Sequence, residues 1–267
     1  MFRSVLSSVL THRVSVNNGE IYLQVSGSGP ALVLLPGHTL DSTLWTPNLA
    51  ALEPAFTLLR LDLRGYGKSS FPKENSSHAE DVLAVLDYLD LERAHLLGLS
   101  LGGNVALDVA YRAPHRTARV VLAAPSLKGF ALPLDFTTSL ERLGILARTQ
   151  GVEAAHAAWR AHPLFASTPT AVLEGLAGGY TGEHWLRTLP PSTWIDAGVF
   201  NTLERIEAPT RVLIGEHDLP HNLEIARMLT QRLPHGLLEV IAGAGHLLNV
   251  DQPERFALAV LEHLKAE

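Results

Sequence analysis

The chain has 267 residues and a net charge of −6; 46% of its residues are hydrophobic and 18% charged, enough to bury a large core in one α/β domain with an insertion, or in two small domains. It has no cysteine, which excludes disulfides, thiolate catalysis and zinc–thiolate sites and fits a reducing compartment. No basic block supplies the electrostatic footprint of a nucleic-acid binder.

The N-terminal stretch MFRSVLSSVLTHR holds a short apolar run broken by serines. It lacks an A-x-A-like cleavage site and is too short to span a bilayer, which predicts a cytoplasmic protein with no membrane partner. HRVSVNNGEIYLQVSG then alternates apolar and polar residues on both sides of Asn17-Asn18-Gly19, a hairpin signal. Six apolar runs follow, at Ala31–Gly37, Phe56–Gly65, Ala94–Ser100, Ala118–Pro125, Thr210–Asp218 and Leu237–His246, each consistent with a strand buried on both faces. Helical patterns lie between them: Val82, Val85, Leu86 and Leu89 form one stripe, NVALDVAYRAP follows the third run, and NLEIARMLTQRL and PERFALAVLEHLKA follow the last two. Strands alternating with helices predict an α/β fold with a mostly parallel, doubly wound sheet and an N-terminal antiparallel hairpin.

The alternation stops between residues 126 and 206. This stretch reads as helices only (FTTSLERLGILART, VEAAHAAWRAH, PTAVLEGLAGG, GEHWLRTL) and holds Trp159, Trp185 and Trp194, three of the four tryptophans. The expected organisation is a core of residues 1–125 and 207–267 with a helical cap, residues 126–206, inserted as a lid.

Gly98-Leu99-Ser100-Leu101-Gly102, followed by Gly103, is a G-x-S-x-G pattern placed between a buried strand and a helix. In that context the serine occupies a sharp, strained turn, and glycine is needed where the turn crowds its neighbours. The helix begins directly behind the serine, and its free N–H groups favour the negative charge that develops in acyl transfer. Such a serine needs a base. Among 13 histidines, His246 closes the last apolar run at the sheet edge where sites of open α/β sheets lie; His217, at the end of the preceding run, competes. The base needs a carboxylate to fix its tautomer. Asp218 ends the TRVLIGEHD run on that edge, with Glu216 as the fallback; Asp62, in LDLRGYGKS, reads as a structural turn residue. His217, Asp218 and His221 have a spacing that could suggest a metal, but they straddle a proline turn and no second cluster completes a site. Of the two oxyanion donors, the Leu101 N–H is one and the loop Pro36-Gly37-His38-Thr39 supplies the other, through the N–H of His38. The His38 side chain reads as an exposed loop residue, with contact to substrate as the alternative.

With these residues in place the sequence resembles the α/β-hydrolase family. The resemblance covers nearly the whole chain and rests on LLPGH (Leu34–His38), DLRGYGKS (Asp62–Ser69), GLSLGG (Gly98–Gly103), IGEHD (Ile214–Asp218) and GAGH (Gly243–His246). It implies a Ser100–Asp218–His246 triad with the His38 and Leu101 N–H groups as oxyanion hole. Pro36-Gly37 departs from the His-Gly of many relatives, although the donor follows the glycine in both. Dehalogenases and soluble epoxide hydrolases of the family use an aspartate nucleophile, which the serine here argues against. The activity expected is hydrolysis of a carboxylic ester or lactone of a small, mainly apolar substrate (a carboxylesterase or lactonase of class EC 3.1.1), with no cofactor and no metal. C–C bond hydrolysis of ring-cleavage diketones is the enzymatic alternative, and a ligand receptor without turnover the alternative of another class. Trp159, His162, Phe165 and Trp185 are the candidate pocket residues. The expected partner is a small molecule, not nucleic acid or membrane, and the sequence leaves the oligomeric state open.

Overall fold

The computed structural model describes residues 9–73, 76–176, 181–187 and 198–265. Most of the apolar run at the N-terminus and Trp194 lie outside the described residues.

Strands β1 (Leu10–Val16) and β2 (Gly19–Gly27) form the antiparallel hairpin. Its two-residue turn needs positive φ, and Asn18 supplies it at +60°. The remaining strands are β3 (Ala31–Leu35), β4 (Thr57–Leu61), β5 (Ala94–Leu99), β6 (Thr117–Ala123), β7 (Thr210–Gly215) and β8 (Gly236–Ile241), and all eight join one sheet in the order β1-β2-β4-β3-β5-β6-β7-β8. β2 runs antiparallel to β4, and every pairing from β4 to β8 is parallel. β3 is buried at every position, whereas the edge strand β8 leaves Leu237, Leu238 and Val240 exposed. Each central strand stops before its apolar run does: the residues after Leu35, Leu99 and Gly215 leave the ladder to build loops at one edge of the sheet.

Helix α1 (Leu49–Leu52) follows a 3-10 segment at Ser42–Asn48; α2 (His78–Tyr88) and α3 (Leu101–Arg112) precede and follow β5. The Ser77 side chain caps α2 by accepting from the Glu80 N–H, with Glu80 and Asp81 in the first turn to meet the helix dipole. Between β6 and β7 the described residues contain no strand. They form α4 (Leu134–Gln150), α5 (Val152–Arg160), α6 (Thr170–Leu176) and α7 (Glu183–Leu186), plus short 3-10 turns. After β7 come α8 (Pro220–Arg232), α9 (Leu248–Asp251) and α10 (Pro253–Leu264). α2 and α3 pack on each other, with α3 against β3, β5 and β6; α10 packs with α1, α9 and the 3-10 segment, and reaches β6; α8 covers β7 and β8. No helix among the described residues is long and apolar enough to cross a membrane.

Strand order reverses at β3, whose neighbours are β4 on one side and β5 on the other. That is the switch point at which open α/β sheets leave a crevice beyond the strand ends. His38 follows β3 and Ser100 follows β5, so they flank it.

Candidate active site

Ser100 sits between the last residue of β5 and the first of α3 with φ +52° and ψ −113°. This conformation is rare for a residue with a side chain. Its backbone is pinned on every side. The N–H donates to the Ala123 carbonyl at 2.9 Å, and the Ser100 carbonyl accepts from Gly103, Asn104 and Ser126. The flanking glycines are sterically required: a Cβ on Gly98 would collide with the backbone of Gly102, and one on Gly102 with the carbonyl of Leu35. The elbow can be this tight only because both positions lack a side chain. Leu101, as the first residue of α3, has an N–H without an intrahelical partner.

His246 lies in the loop after β8 and is 4% exposed. Its Nδ1 is 3.0 Å from Oδ2 of Asp218, whose side chain is fully buried. Asp218 Oδ1 accepts from the Leu219 N–H at 2.7 Å and from Asn222 Nδ2 at 2.8 Å. Burial alone would raise the Asp218 pKa. The charge of His246 and the hydrogen bonds from His246, Asn222 and Leu219 outweigh it and hold the carboxyl below its usual range. With Nδ1–H given to Asp218, Nε2 of His246 keeps its lone pair for a proton. Asn222, in the first turn of α8, also approaches His246 Nδ1 to 3.3 Å; no sequence motif marked it.

The structure separates the competing groups. His217 and Glu216 turn outward, with side chains 58% and 53% exposed, and Glu216 accepts from the Gly243 N–H. Asp62 is buried and ties down two loops, accepting from Ser42 N–H and Lys68 N–H at 2.8 Å each. Burial raises its pKa against those hydrogen bonds. Among the described residues no group of three or more His, Asp or Glu side chains is placed to hold a metal.

Ser100 and His246 line one cavity of about 460 Å³, together with Gly37, His38 and Leu101. Trp159, Phe165 and Trp185 line it too. His162 does not. It borders an adjacent cavity with Asp135, Ser139 and His221, where its Nδ1 accepts from the Leu164 N–H and its Nε2 meets Ser139 Oγ. The ring is committed to holding its own turn and α4 together. The His38 ring also departs from expectation: it is part of the cavity wall, its Nδ1 2.7 Å from Tyr66 Oη and its edge against Trp159 and His184. Burial, reinforced by His184, lowers the His38 pKa to about 3, and burial lowers that of His184 to about 4. Both imidazoles are neutral at ordinary pH.

Further lining residues escaped the motif reading. Leu132, Phe136 and Leu140 repeat every four residues along α4 and the turn before it and present one apolar face to the cavity. Their spacing was legible, but not the side on which the cavity would lie. Tyr66 and His184 are brought in from a turn and from α7, and stack with centroids 4.5 Å apart.

A family model described as the alpha/beta hydrolase family matches residues 32–260. The chain belongs to that family. Over 94% of its length it is 30% identical to carboxylesterase YbfK of Bacillus subtilis, covering 86% of that protein. The crystal structure of the same esterase superposes with a TM-score of 0.80 at 28% identity, over 97% of this chain and 92% of the other. The enol-lactonase from Burkholderia xenovorans LB400 superposes with a TM-score of 0.80 at 26% identity, over 96% and 100% of the two chains.

Proposed function

We propose that the protein is a serine hydrolase that cleaves a neutral carboxylic ester or lactone with a sizeable apolar acyl portion. The observation that carries this reading is the meeting of a strained serine and a carboxylate-buttressed histidine in one apolar cavity. Similarity to a carboxylesterase and an enol-lactonase supports it. His246 Nε2 takes the Ser100 proton as Oγ attacks the carbonyl; Asp218 stabilises the imidazolium that results. The N–H groups of His38 and Leu101 receive the oxyanion, each contributing about 3 kcal/mol to transition-state stabilisation. Collapse expels the alcohol, protonated by His246, and leaves an acyl-enzyme; His246 then activates water to release the acid.

Substrate class follows from the lining. No Asp, Glu, Lys or Arg side chain faces the cavity among the described residues, and the His38 and His184 imidazoles are neutral. An anionic acyl chain would lose its hydration there without gaining a counter-ion. The helices between β6 and β7 act as the lid that supplies most of this apolar wall.

The test is turnover of p-nitrophenyl esters of rising acyl length and of neutral lactones. Ser100→Ala is expected to abolish turnover with the fold intact by circular dichroism. Retained turnover in that variant would refute the reading, and preference for a dicarboxylate half-ester over its neutral diester would refute the substrate class.

A further inference from the structure

The segment from Trp159 to Thr168, in the stretch between β6 and β7, reaches both loops that carry the reacting groups, and it does so through hydroxyl hydrogen bonds as well as apolar contact. On one side Trp159 Nε1 donates to Thr39 Oγ1 at 2.7 Å, and Thr39 Oγ1 donates to the His38 carbonyl at 2.6 Å. Both groups are buried, Thr39 at 3% and Trp159 at 5% exposure. Thr39 is the third residue of a turn closed by Leu40 N–H to Gly37 O at 3.2 Å, and its φ is +65°. That position ordinarily takes glycine or asparagine, and a β-branched residue there is an outlier. Steric fit does not account for a threonine at this site. Its hydroxyl does, because it accepts from the indole while donating to the peptide of His38.

On the other side Thr168 Oγ1 donates to Asp251 Oδ1 at 2.6 Å, and Asp251 Oδ2 accepts from the Gly245 N–H at 2.8 Å. Gly245 immediately precedes His246. It also lies so close to the same segment that an added Cβ would come within 2.7 Å of Ser167 Oγ.

We infer that Trp159 and Thr168 are positioning residues: through Thr39 and Asp251 they set the peptide geometry of the oxyanion loop and of the His246 loop, so that the inserted helices complete the catalytic apparatus besides covering it. This rests on the serine-hydrolase reading above. It makes a demand that a mere lid does not. A wall residue acts on substrates long enough to touch it, and its loss changes KM and acyl-length preference. A residue that fixes the oxyanion donor or the histidine acts on every substrate alike, in kcat.

The experiment compares Trp159→Phe and Thr168→Val with Thr39→Ser and Thr168→Ser on p-nitrophenyl acetate, butyrate and octanoate, with Ser100→Ala as the reference. Loss of either relay is expected to lower kcat about tenfold for all three esters and to slow phosphonylation of Ser100 by an uncharged phosphonate to the same degree, with KM changed less than about twofold in Thr39→Val and Thr168→Val, whose parent side chains do not line the cavity. The two serine variants keep a hydroxyl and are expected to retain kcat within about threefold. Thr39→Val, which removes the middle of the first relay without touching the tryptophan, is expected to match Trp159→Phe; it carries that arm if the indole variant does not fold. A kcat within twofold of the parent in both Thr39→Val and Thr168→Val overturns the inference, as does a loss in those two variants that grows with acyl length. Those results, alongside an inactive Ser100→Ala, leave the serine-hydrolase reading standing; an active Ser100→Ala removes that reading itself.

Discussion

His78 ties stability to pH in a way that can be worked through. It is the first residue of α2, is 8% exposed and lies near Arg64 and His184. Burial first, then those two neighbours, lowers its pKa from 6.5 to about 3; the positive end of the helix dipole acts in the same direction. The unfolded chain therefore binds a proton below about pH 6.5 that the folded chain refuses until about pH 3. Since the folded pKa lies below the unfolded one for a base, stability is complete above pH 6.5 and falls as pH drops through the window between the two values. At pH 5.0 the penalty is about 2 kcal/mol relative to pH 7.5, a large share of a typical domain stability of about 5–15 kcal/mol. His78→Gln removes the titration. Urea unfolding of parent and variant at pH 7.5 and 5.0 gives a difference of differences that cancels any pH-independent loss in the variant. The expected result is that the variant loses about 2 kcal/mol less between the two pH values. Equal losses in the two proteins would refute the assignment of His78 as a proton-refusing group.

Two other perturbations separate roles that the sequence left close together. Asp218→Asn is expected to lower kcat on p-nitrophenyl butyrate by about 10⁴-fold, the loss seen when a triad carboxylate elsewhere is neutralised, while Glu216→Gln, whose exposed carboxylate meets the Gly243 N–H and His217, should stay within twofold; the reverse pattern would move the carboxylate role to Glu216. Arg64 donates to Asp81 through both Nε and Nη2 at 2.6 Å in a buried pair, so Arg64→Met is expected to destabilise by about 3–5 kcal/mol by stranding the carboxylate, and Asp81→Leu on that background to recover most of it; urea midpoints measure both.

The parts of the fold and site that sequence made legible are those encoded by local chemistry. Asn17-Asn18-Gly19 specified a hairpin because the turn needs positive φ, and Asn18 adopts it. Gly98, Gly102 and Gly103 marked the elbow because a Cβ at any of them meets a neighbour closely. Among the described residues between β6 and β7, α4 to α7 each overlap a stretch that the sequence pattern marked as helical. Strand order was not legible, since the pairing of β3 with both β4 and β5 is settled by long-range burial. The same limitation misplaced two histidines. His38 looked exposed because its loop is polar and short, but Trp159 and His184, more than a hundred residues away in sequence, close over it. His162 looked like a wall residue because it follows Trp159 closely, yet the chain turns there and the ring serves Leu164 and Ser139 instead.

The neutral histidines suggest why such a cavity suits acyl transfer. His38 and His184 bring imidazole rings to within the same wall as Ser100, yet burial keeps both uncharged. In the mechanism proposed above, a protonated imidazole on the loop after β3 would stabilise the tetrahedral intermediate, but it would also oppose the positive charge that His246 takes on in the same step. With these rings neutral, the imidazolium of His246 is opposed by no charged side chain among the described lining residues and is balanced by Asp218 alone, whose lowered pKa keeps it ionised. On the proposed mechanism, oxyanion stabilisation then falls to the backbone N–H groups of His38 and Leu101, fixed dipoles that need no reorganisation and act more strongly in an apolar cavity than in water. The role inferred above for Trp159 and Thr39 is to hold the His38 carbonyl, and with it the turn closed by Leu40 N–H to Gly37 O on which the first of those N–H groups sits.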